Sequence, residues 1–421
     1  MKARQTMAAL AVGVLLSAAV EAGVGARTFG AKGNGKVDDS KAIQKVLDAA
    51  AARGGGRVDL GVGRFRLDKP ITVPEGVTLA GVWEAPHHAM LQKGTVIEVY
   101  AGKGKEDGPA AVTLSPSSAV KGITFFYPEQ RLPDVVPYPY TISGSGMHCS
   151  VIDCTFVNPY KAIDFGTQWN ELHYIRNCYG CPLKVGIHID RCTDIGRIEN
   201  VHFNPHYWMR AECENKPADW TVLGKFLFEN LVAFEFARTD WEYVHNTFCY
   251  GAKVGYRFYA GSDGTVNGNF LGIGADWCDV ALLVENAQLP RLLITNGEFV
   301  AGKGGKAFMS VAPTNEGVVQ LSNCSFWGPC SAVAVIEGKE TVSLDQCTFH
   351  NHRAEEDPFT IDARSGDLTI SGCRFGSDRP DIRLGKDVRT AIIMGNRFTR
   401  SKEIENLSAG DVQEGLNVVV K

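Results

Sequence analysis

Apolar residues near the start of the chain change from one spacing to another. They first recur three and four residues apart, at Ala42, Ile43, Val46, Leu47 and Ala50. This spacing predicts a helix with one apolar face. Residues 38–40, Asp-Asp-Ser, can cap its N-terminus, and the glycines at 54–56 end it. From residue 58 onward apolar and polar residues alternate, which predicts short β-strands.

A short signature that ends in phenylalanine repeats along the rest of the chain. The phenylalanines, mostly 22 to 27 residues apart, are Phe156, Phe203, Phe248, Phe299, Phe326, Phe349, Phe375 and Phe398. Several follow an asparagine, whose side-chain amide can hydrogen-bond the backbone of a turn. Units this short cannot bury their own apolar side chains. The repeat therefore predicts a solenoid whose coils stack about 4.8 Å apart, with phenylalanine on phenylalanine.

The head of the chain carries a family resemblance. Residues 29–44 read F-G-A-K-G-N-G-K-V-D-D-S-K-A-I-Q, and closely spaced strands and glycines follow up to residue 82. This segment resembles the pectate-lyase-like superfamily, which contains polygalacturonases, many other glycan-degrading enzymes and phage tailspikes. The resemblance implies an all-β fold, a right-handed parallel β-helix with an N-terminal capping α-helix. It also implies a polysaccharide or oligosaccharide as the substrate.

The motifs of polygalacturonases are incomplete in this sequence. Residues 238–240, Arg-Thr-Asp, and residues 277–279, Trp-Cys-Asp, are only fragments of the N-T-D and G-D-D strands of those enzymes. No matching H-G or R-I-K is present. The catalytic aspartates of polygalacturonases therefore cannot be assigned here by resemblance.

The composition is that of a folded, turn-rich protein. Of 421 residues, 44% are hydrophobic, 21% are charged and 46 are glycine, which excludes a disordered chain. One solenoid core can extend over this length, so we predict a single domain over residues 27–421. Residues 27–82 would form the cap and first coils, and residues 204–225 a loop insertion that lacks the repeat signature. A net charge of −4 predicts no general affinity for nucleic acid.

The first residues are typical of an export signal. Lys2 and Arg4 precede an apolar run at residues 8–19, and small residues follow. We predict a signal peptide over residues 1–26. The protein is then expected in the periplasm or outside a bacterial cell, as a monomer or a homotrimer. No later stretch reaches about 18 consecutive apolar residues, so no membrane span is predicted.

Twelve cysteines would suit a disulfide framework in an exported protein. Cys324, Cys347 and Cys373 nevertheless occupy equivalent places in successive coils, and we interpret them as a buried ladder of free thiols. Disulfides remain open for two close pairs, Cys149 with Cys154 and Cys178 with Cys181. The C-x-x-C at 178–181 has no second pair at a zinc-binding spacing, so no metal site is predicted.

Ionisable residues are concentrated on one predicted outer face. If large apolar residues point inward, successive coils expose one column of residues: Asp164, His188, Glu235, Arg257, Leu283, Met309, Ala334 and Thr360. The first four are ionisable and the next three are not. Solvated strands have no reason to segregate charge in this way, so the column predicts a catalytic or ligand-binding cluster. The alternative is a ladder of mutually compensating charges on an ordinary surface.

The carboxylates in and beside this column favour glycoside hydrolysis. That reaction uses two carboxyl groups, one as acid and one as base or nucleophile. We predict Glu235 with Asp164 or Asp190 as the catalytic pair; Asp164 and Glu235 would lie two rungs, or about 9.6 Å, apart. His188 would bind substrate or set the protonation of the acid, and Arg257 would bind a uronate carboxylate. A hydrolase of this kind needs no cofactor.

Two other functions remain open. A polysaccharide lyase would need a base and a group that neutralises the uronate, roles that Arg257, Lys253 and Tyr259 can fill; calcium would be an acceptable cofactor in that case. A non-catalytic, tailspike-like scaffold would bind glycan on the same face without chemistry.

Aromatic and polar residues beside the column are predicted to contact the glycan, because aromatic faces stack on sugar rings. They are His206, Tyr207 and Trp208 in the insertion, with Asp240 and Trp241 just past the Glu235 strand and Tyr259 just past the Arg257 strand. Local packing of the insertion on the solenoid explains its aromatic residues equally well.

Overall fold

The computed structural model describes residues 24–83, 91–302, 304–353 and 359–420. Within them the chain is a parallel β-solenoid of about 15 turns, which confirms the predicted parallel β-helix. Most of the predicted signal peptide, residues 1–23, lies outside the described residues. In the described part, no helix is both long and apolar enough to cross a bilayer.

The strands stack in three parallel columns, here called the first, second and third sheets. The strands confined to the first sheet are Ile71–Val73, Val112–Leu114, Tyr140–Gly144, Lys161–Phe165, Val185–Ile189, Val232–Phe236, Val254–Phe258, Val280–Val284, Ala307–Val311, Ala332–Ile336 and Ile404–Asn406. This sheet carries the predicted column of ionisable residues.

The second and third sheets complete each coil. The second sheet contains Val24–Gly25, Gly56–Asp59, Val77–Ala80, Ala119–Lys121, Glu242–His245, Val266–Leu271, Ala287–Thr295, Val319–Ser322, Thr341–Asp345 and Asp411–Gly415. The third contains Asn34–Asp38, Gly63–Leu67, Thr95–Val99, Thr124–Phe126, Phe248–Tyr250, Gly274–Asp276, Glu298–Val300, Ser325–Cys330, Thr348–Arg353, Arg374–Phe375, Arg397–Phe398 and Val418–Val419.

Five long strands bend from one sheet into the next. Those shared by the second and third sheets are Ser150–Phe156, Tyr174–Gly180 and Arg197–Phe203. Those shared by the first and second are Ile361–Ser371 and Ile382–Met394. Gly146–Met147 and Asn170–Glu171 form a separate two-stranded pair. The helices are a 3-10 turn at Ala26–Phe29 and α-helices at Ser40–Ala51, His206–Met209 and Trp220–Asn230.

The predicted N-terminal helix is present and packs on the first coils. Its apolar stripe, with Ile43, Val46 and Leu47, is fully buried. Of the predicted caps, Asp38 is confirmed, because its Oδ1 accepts a hydrogen bond from the amide of Ser40, the first helical residue, at 3.0 Å. The side chain of the N-cap residue Asp39 makes no capping hydrogen bond. The Asp39 carboxylate instead accepts hydrogen bonds from the amides of Lys32 and Gly33, and so holds the loop that precedes the helix.

Phenylalanine rings form the predicted stack along the third sheet. The ring centroids of Phe326 and Phe349 are 5.2 Å apart, those of Phe349 and Phe375 are 5.1 Å apart, and those of Phe375 and Phe398 are 4.9 Å apart. Phe248 departs from the prediction. Cys249, not Phe248, is in register with Phe203, so the ring of Phe248 lies on the outer side of the sheet beside His202.

Asparagines occupy the turns between the second and third sheets, as predicted. Five of them have positive φ angles of 51–55°: Asn177, Asn200, Asn246, Asn296 and Asn323. Side-chain amides also join neighbouring turns, with Asn200 Nδ2 donating to Asn177 Oδ1 at 2.8 Å and Asn323 Nδ2 to Asn296 Oδ1 at 2.8 Å. The left-handed backbone explains the choice of asparagine, which tolerates that conformation better than most residues.

The cysteines are free thiols throughout the described residues. The predicted ladder of Cys324, Cys347 and Cys373 is buried, and each thiol points toward a carbonyl of the preceding coil. Neither of the two close pairs left open by the sequence is bridged. Cys154 instead faces Cys178 from the adjacent coil.

The insertion after Phe203 leaves the coil register intact. His188 pairs directly with Glu235 in the first sheet, so the 46 residues between them make one coil plus an excursion. The excursion runs to residue 231 rather than 225, because it includes the helix Trp220–Asn230. Its N-cap Asp219 accepts hydrogen bonds from the amides of Thr221 and Val222.

Removing one ring from the phenylalanine stack should destabilise the solenoid. We expect Phe349→Ala to lower the free energy of unfolding by about 3–5 kcal/mol, because it leaves a cavity between Phe326 and Phe375. Thr348→Ala, at the neighbouring outward position, should change it by no more than about 0.5 kcal/mol. Chemical denaturation of both variants measures this, and equal effects would contradict the stacked core.

Candidate functional site

The first four residues of the predicted column are direct neighbours in the structure. Asp164 pairs with His188, His188 with Glu235, and Glu235 with Arg257. Asp164 lies on the strand Lys161–Phe165 and Arg257 on Val254–Phe258. Apolar side chains on both sides of each residue point into the core, which turns these four side chains toward one outer face.

The later part of the column differs from the prediction, by one residue at Met309 and Ala334 and by two residues at Thr360. Leu283 is followed by Ser310, Val335 and Asp362, whereas the predicted Met309, Ala334 and Thr360 are buried. The prediction aligned the coils on their alanines, but Val280 is in register with Ala307. The uncharged interval survives this correction, since Leu283, Ser310 and Val335 carry no charge.

Charge returns at the far end of the column, which the sequence did not indicate. Asp362 lies 2.7 Å from both Arg364 and Arg383. These two guanidinium groups lower the pKa of Asp362, although its burial acts in the opposite direction. This cluster is a compensated ion-pair network and is separate from the first four residues.

A carboxylate, an imidazole and a phenol are joined in line at the centre of the site. Asp164 Oδ1 is 2.8 Å from His188 Nδ1, and His188 Nε2 is 3.1 Å from the Tyr259 hydroxyl. The amides of Gly166 and Thr167 also donate to Asp164 Oδ1, each at 3.0 Å. Because an ionised carboxylate only accepts hydrogen bonds, the proton on Nδ1 belongs to His188.

The pKa values of this pair shift in opposite directions. Burial alone would raise the pKa of Asp164, but the hydrogen bond and charge of His188 and the Thr167 contacts hold it below 3.8. Burial alone would lower the pKa of His188, but the Asp164 carboxylate, with Glu235 and Asp190, holds it above 6.5. The arrangement therefore favours an ionised Asp164 and a basic His188.

Arg257 links the remaining groups of the column. Its Nε and Nη2 bind the Glu285 carboxylate at 2.9 and 3.0 Å, and Nη1 lies 3.5 Å from Glu235 Oε2. The guanidinium group also lies 4.4 Å from the centre of the Tyr259 ring. Sequence reasoning missed Glu285, which lies in the turn after the next strand of the sheet.

A cleft of about 320 Å³ opens beside Asp164. Its lining includes Tyr140, Ser143 and Lys161, none of which the sequence singled out. The Tyr140 ring stacks on the His188 ring at 6.3 Å, and Lys161 Nζ lies 4.9 Å from the centre of the Tyr140 ring. The repeat identified in the sequence begins at Phe156 and gave no signal for Tyr140, although Phe125 before it is in register with Phe156.

Asp190 does not share the column. It is buried, and its Oδ1 accepts hydrogen bonds from the amides of Arg191 at 2.7 Å and Arg238 at 2.9 Å. A Cβ at Gly261 would collide with its carboxylate. The structure therefore gives Asp190 the role of joining the turns that follow the first sheet.

The predicted glycan-contacting residues are dispersed. Tyr207 and Trp208 are buried, and Tyr207 packs on Tyr179 and His202 of the third sheet at 5.9 and 5.8 Å. His206 begins the same short helix. This helix thus packs on a different sheet from the column, in agreement with the local-packing alternative.

Two predicted contacts lie in the turn between the first and second sheets. Asp240 pairs with Arg238 at 2.8 Å, and Trp241 is 57% exposed. Tyr259 is the one predicted substrate-binding aromatic residue that touches the column, through His188.

One group of metal-ligating residue types lies close together in the described part of the chain: His173, Cys192 and Glu242. Both ring nitrogens of His173 already have partners, Asn170 Oδ1 at 2.9 Å and Glu242 Oε1 at 3.0 Å. Cys192 Sγ is 3.8 Å from the nitrogen that faces Asn170. These contacts arrange the group as a hydrogen-bonded chain, with one possible ligand atom of each residue within 4.8 Å of the others.

Comparisons with known proteins agree with this fold. A family model described as rhamnogalacturonase A/epimerase, pectate lyase-like, matches residues 24–105, which end before the site. The N-terminal fragment of bacteriophage Phi29 gene product 12 superposes with a TM-score of 0.60 at 12% identity, over 99% of this chain and 73% of that one. This likeness shows the fold alone, and with the family match it confirms the pectate-lyase-like resemblance.

Two sequence relatives come from Azotobacter vinelandii. Alginate lyase 7 is 40% identical over 79 residues, which are 19% of this chain and 8% of the relative. Mannuronan C5-epimerase AlgE1 is 44% identical over 63 residues, 13% of this chain and 4% of the relative. The matches thus span less than a tenth of each relative. They relate this chain to polysaccharide-acting enzymes, but their names do not support a glycoside hydrolase.

The Asp164–His188 pair should be visible in solution. Asp164→Asn is expected to lower the pKa of His188 by about one unit or more, because the neutral amide no longer favours the imidazolium ion. NMR of histidine-labelled protein measures this pKa. Asp362→Asn, in the same column but outside the site, should leave it unchanged, and an unchanged His188 pKa in Asp164→Asn would contradict the pairing.

The same pair should make stability depend on pH in a definite sense. The folded-state pKa of His188 lies above 6.5, so its contribution is complete below pH 6.5 and is lost as the pH rises through the folded-state value. The folded-state pKa of Asp164 lies below 3.8, so its contribution is present above pH 3.8 and is lost as the pH falls through that lower value. Unfolding of wild type and Asp164→Asn across this range measures both limbs; a pH-independent difference would contradict the assignment.

Proposed function

We propose that this protein is a polysaccharide lyase that removes the proton beside a uronate carboxylate. The observation that carries the proposal is the line Asp164–His188–Tyr259 next to the guanidinium group of Arg257. Such a line can move a proton on the outer face of the first sheet, next to the cleft, while the cation stabilises the negative charge that develops on the substrate. The relatives named alginate lyase and mannuronan C5-epimerase support a uronate-containing substrate.

The carboxylates support a hydrolase less well than the sequence indicated. Glycoside hydrolysis needs two carboxyl groups that face the scissile bond. Asp190 is committed to two backbone amides, and Asp164 to His188 and two further amides. Glu235 remains without a second carboxyl group that is free for this purpose, so the lyase replaces the hydrolase as the preferred function.

His188 and Tyr259 form the proposed acid–base couple. Burial, then the charges of Glu235 and Asp190, raise the pKa of Tyr259, so its hydroxyl is protonated at rest. With Asp164 accepting the Nδ1 proton, Nε2 of neutral His188 accepts the Tyr259 hydroxyl proton. Tyr259 gives its hydroxyl proton to His188 as its oxygen accepts the proton from the substrate. The Tyr259 oxygen can therefore act as the base although its hydroxyl is protonated at rest.

The reaction then balances without any other reactant. The C5–H bond breaks and its proton passes to the Tyr259 oxygen, whose own proton passes to His188 Nε2. The C4–O bond breaks as the C4–C5 double bond forms, and the leaving oxygen takes a proton from Tyr259. His188 returns its proton to Tyr259, which restores the starting state.

Positive charge for the uronate comes from side chains. Arg257 Nη1 is the nitrogen that does not contact Glu285, and at 3.5 Å from Glu235 it can turn to a substrate carboxylate on the outer face of the first sheet. Lys161, which lines the cleft beside Asp164, lies 3.8 Å from Glu106 and 4.0 Å from Asp107. With two cations present we propose that the reaction needs no calcium, and that the protein works outside the cytoplasm, where such polysaccharides lie.

A C5-epimerase is the second candidate, favoured by the relative of that name. It would share the removal of the C5 proton, and a proton would return to the opposite face of the ring with the C4–O bond intact. The lyase breaks the C4–O bond and the epimerase leaves it intact, so their products distinguish the two reactions.

Product analysis tests the proposal. On polymannuronate, polyguluronate and polygalacturonate, with a neutral glucan as control, we expect equal numbers of new reducing ends and unsaturated ends, in the presence of EDTA. Unsaturated ends are read by ultraviolet absorbance. Reducing ends without unsaturation would instead indicate hydrolysis, and inversion at C5 without new ends would indicate the epimerase.

Variants assign the groups. Tyr259→Phe and Arg257→Ala should each lower kcat/KM by at least about 100-fold, because one loses the proton carrier and the other the charge stabilisation. Glu235→Gln should retain activity within about tenfold, and Ser310→Ala, two rungs beyond Arg257, should match wild type. Loss of activity confined to Glu235→Gln would favour the hydrolase.

A further inference from the structure

A polar layer lies inside the solenoid, behind the candidate site. His173 and Glu242 have no exposed surface, and the Phe165 ring packs on the His173 ring at 5.3 Å. Ionisable groups in such surroundings are costly unless they are hydrogen-bonded. His173 lies in the coil that carries Asp164, and Glu242 lies in the coil that carries Glu235.

Glycine on the middle rung makes this layer possible. Tyr174 pairs with Arg197 and Arg197 with Tyr243, so the residues just before them, His173, Gly196 and Glu242, also align. A Cβ at Gly196 would collide with His173 Cε1 and Glu242 Oε2. The missing side chain thus leaves the space in which an imidazole and a carboxylate two rungs apart reach each other, at 3.0 Å.

Asn170 connects this pair to the backbone of the first sheet. Its Nδ2 donates to the carbonyl oxygens of Phe165 at 2.7 Å and Asp190 at 2.9 Å. Its Oδ1 must then accept the proton on His173 Nδ1, at 2.9 Å. That leaves one proton to be shared between His173 Nε2 and Glu242 Oε1, and the orientation of the Asn170 amide is fixed from both sides.

The carbonyl groups of Phe165 and Asp190 belong to the rungs that carry Asp164 and His188. Phe165 follows Asp164, and Asp190 is two residues beyond His188. We propose that Asn170, oriented by His173 and Glu242, is a positioning residue that ties these rungs together and so holds His188 between Asp164 and Tyr259. Its catalytic consequence rests on the proposed lyase function, whereas its effect on the Asp164–His188 geometry does not.

His188 reports on this geometry because its charged and titratable neighbours are known. Asp164, Glu235 and Asp190 act on its charge, and the Tyr259 hydroxyl and Tyr140 ring contact it. Asn170 reaches the rungs through the two backbone carbonyls. A change at Asn170 can therefore alter the pKa of His188 through the spacing of the rungs, with all five neighbours still present.

The experiment compares two buried asparagines in the full-length protein. Asn170→Ala should lower the His188 pKa, measured by NMR, by at least about half a unit, and lower kcat about 10- to 100-fold with KM within about twofold. Asn396→Ala removes a similar amide that donates to the Ile370 carbonyl, far along the solenoid. It should lose stability but keep the His188 pKa and kcat of wild type.

Conservative replacement provides a second readout. Glu242→Gln keeps a donor opposite His173 Nε2, so it should retain the His188 pKa and most of kcat. His173→Phe removes the partner of Asn170 Oδ1 and should behave like Asn170→Ala; it also serves if Asn170→Ala does not fold. If neither Asn170→Ala nor His173→Phe shifts the His188 pKa, or if Asn396→Ala shifts it equally, the positioning role is overturned. If the wild-type protein shows no lyase activity but Asn170→Ala still shifts the His188 pKa, the proposed lyase function is overturned and the positioning role stands.

Discussion

Stacking of like side chains between coils fixes the register on which the whole structure depends. The rings of Phe326, Phe349 and Phe375 lie 5.1–5.2 Å apart, close to the spacing of the strands themselves. A slip of one residue would turn each ring outward and each polar neighbour inward, at a cost repeated in every coil. The core therefore determines which outer residues become neighbours, and Asp164, His188, Glu235 and Arg257 meet because their inner neighbours are locked.

Periodicity and charge were visible in the sequence, and they predicted what depends on them. The solenoid, its N-terminal helix and the first four rungs of the column follow from spacing alone. The prediction was wrong where either of two neighbouring residues could occupy the same position in a coil. Met309 was placed in the outer column instead of Ser310, and Phe248 in the core stack instead of Cys249. At these positions packing against the adjacent coil decides the register, and the spacing of the repeat carries no information about that packing.

Contacts between distant residues were beyond the sequence. Tyr259 lies 71 positions from the His188 ring to which it is hydrogen-bonded, and Tyr140 precedes Phe156, where the repeat identified in the sequence begins. Lys161 differs in that its strand was recognised, but its position at the start of the strand gave no reason to place it in a cleft. A site built from single residues of several coils can be predicted from the sequence only in those coils whose repeat is recognised.

Carboxylates of one type acquire different chemistry from their partners. Asp164 and Asp190 are both buried beside the turns of the first sheet, yet Asp164 accepts from an imidazole and Asp190 from two amides of neighbouring turns. Glu235 faces outward toward a guanidinium group. A count of acidic residues on one face therefore overstates the number available for catalysis, and this is why a two-carboxylate reaction looked better in the sequence than in the structure.

The solenoid supplies rigid spacing but little means of adjusting it, since each rung is bonded to the next along its length. A proton line that draws its groups from four successive rungs needs its heavy atoms within about 0.5 Å of the productive arrangement. Backbone pairing sets the average spacing of the rungs. The distance between two rungs can increase at the ends of strands, which is where Phe165 and Asp190 lie. Burying His173 and Glu242 costs stability that an apolar core would not lose. That cost is understandable where it fixes the ends of the two strands that carry Asp164 and His188.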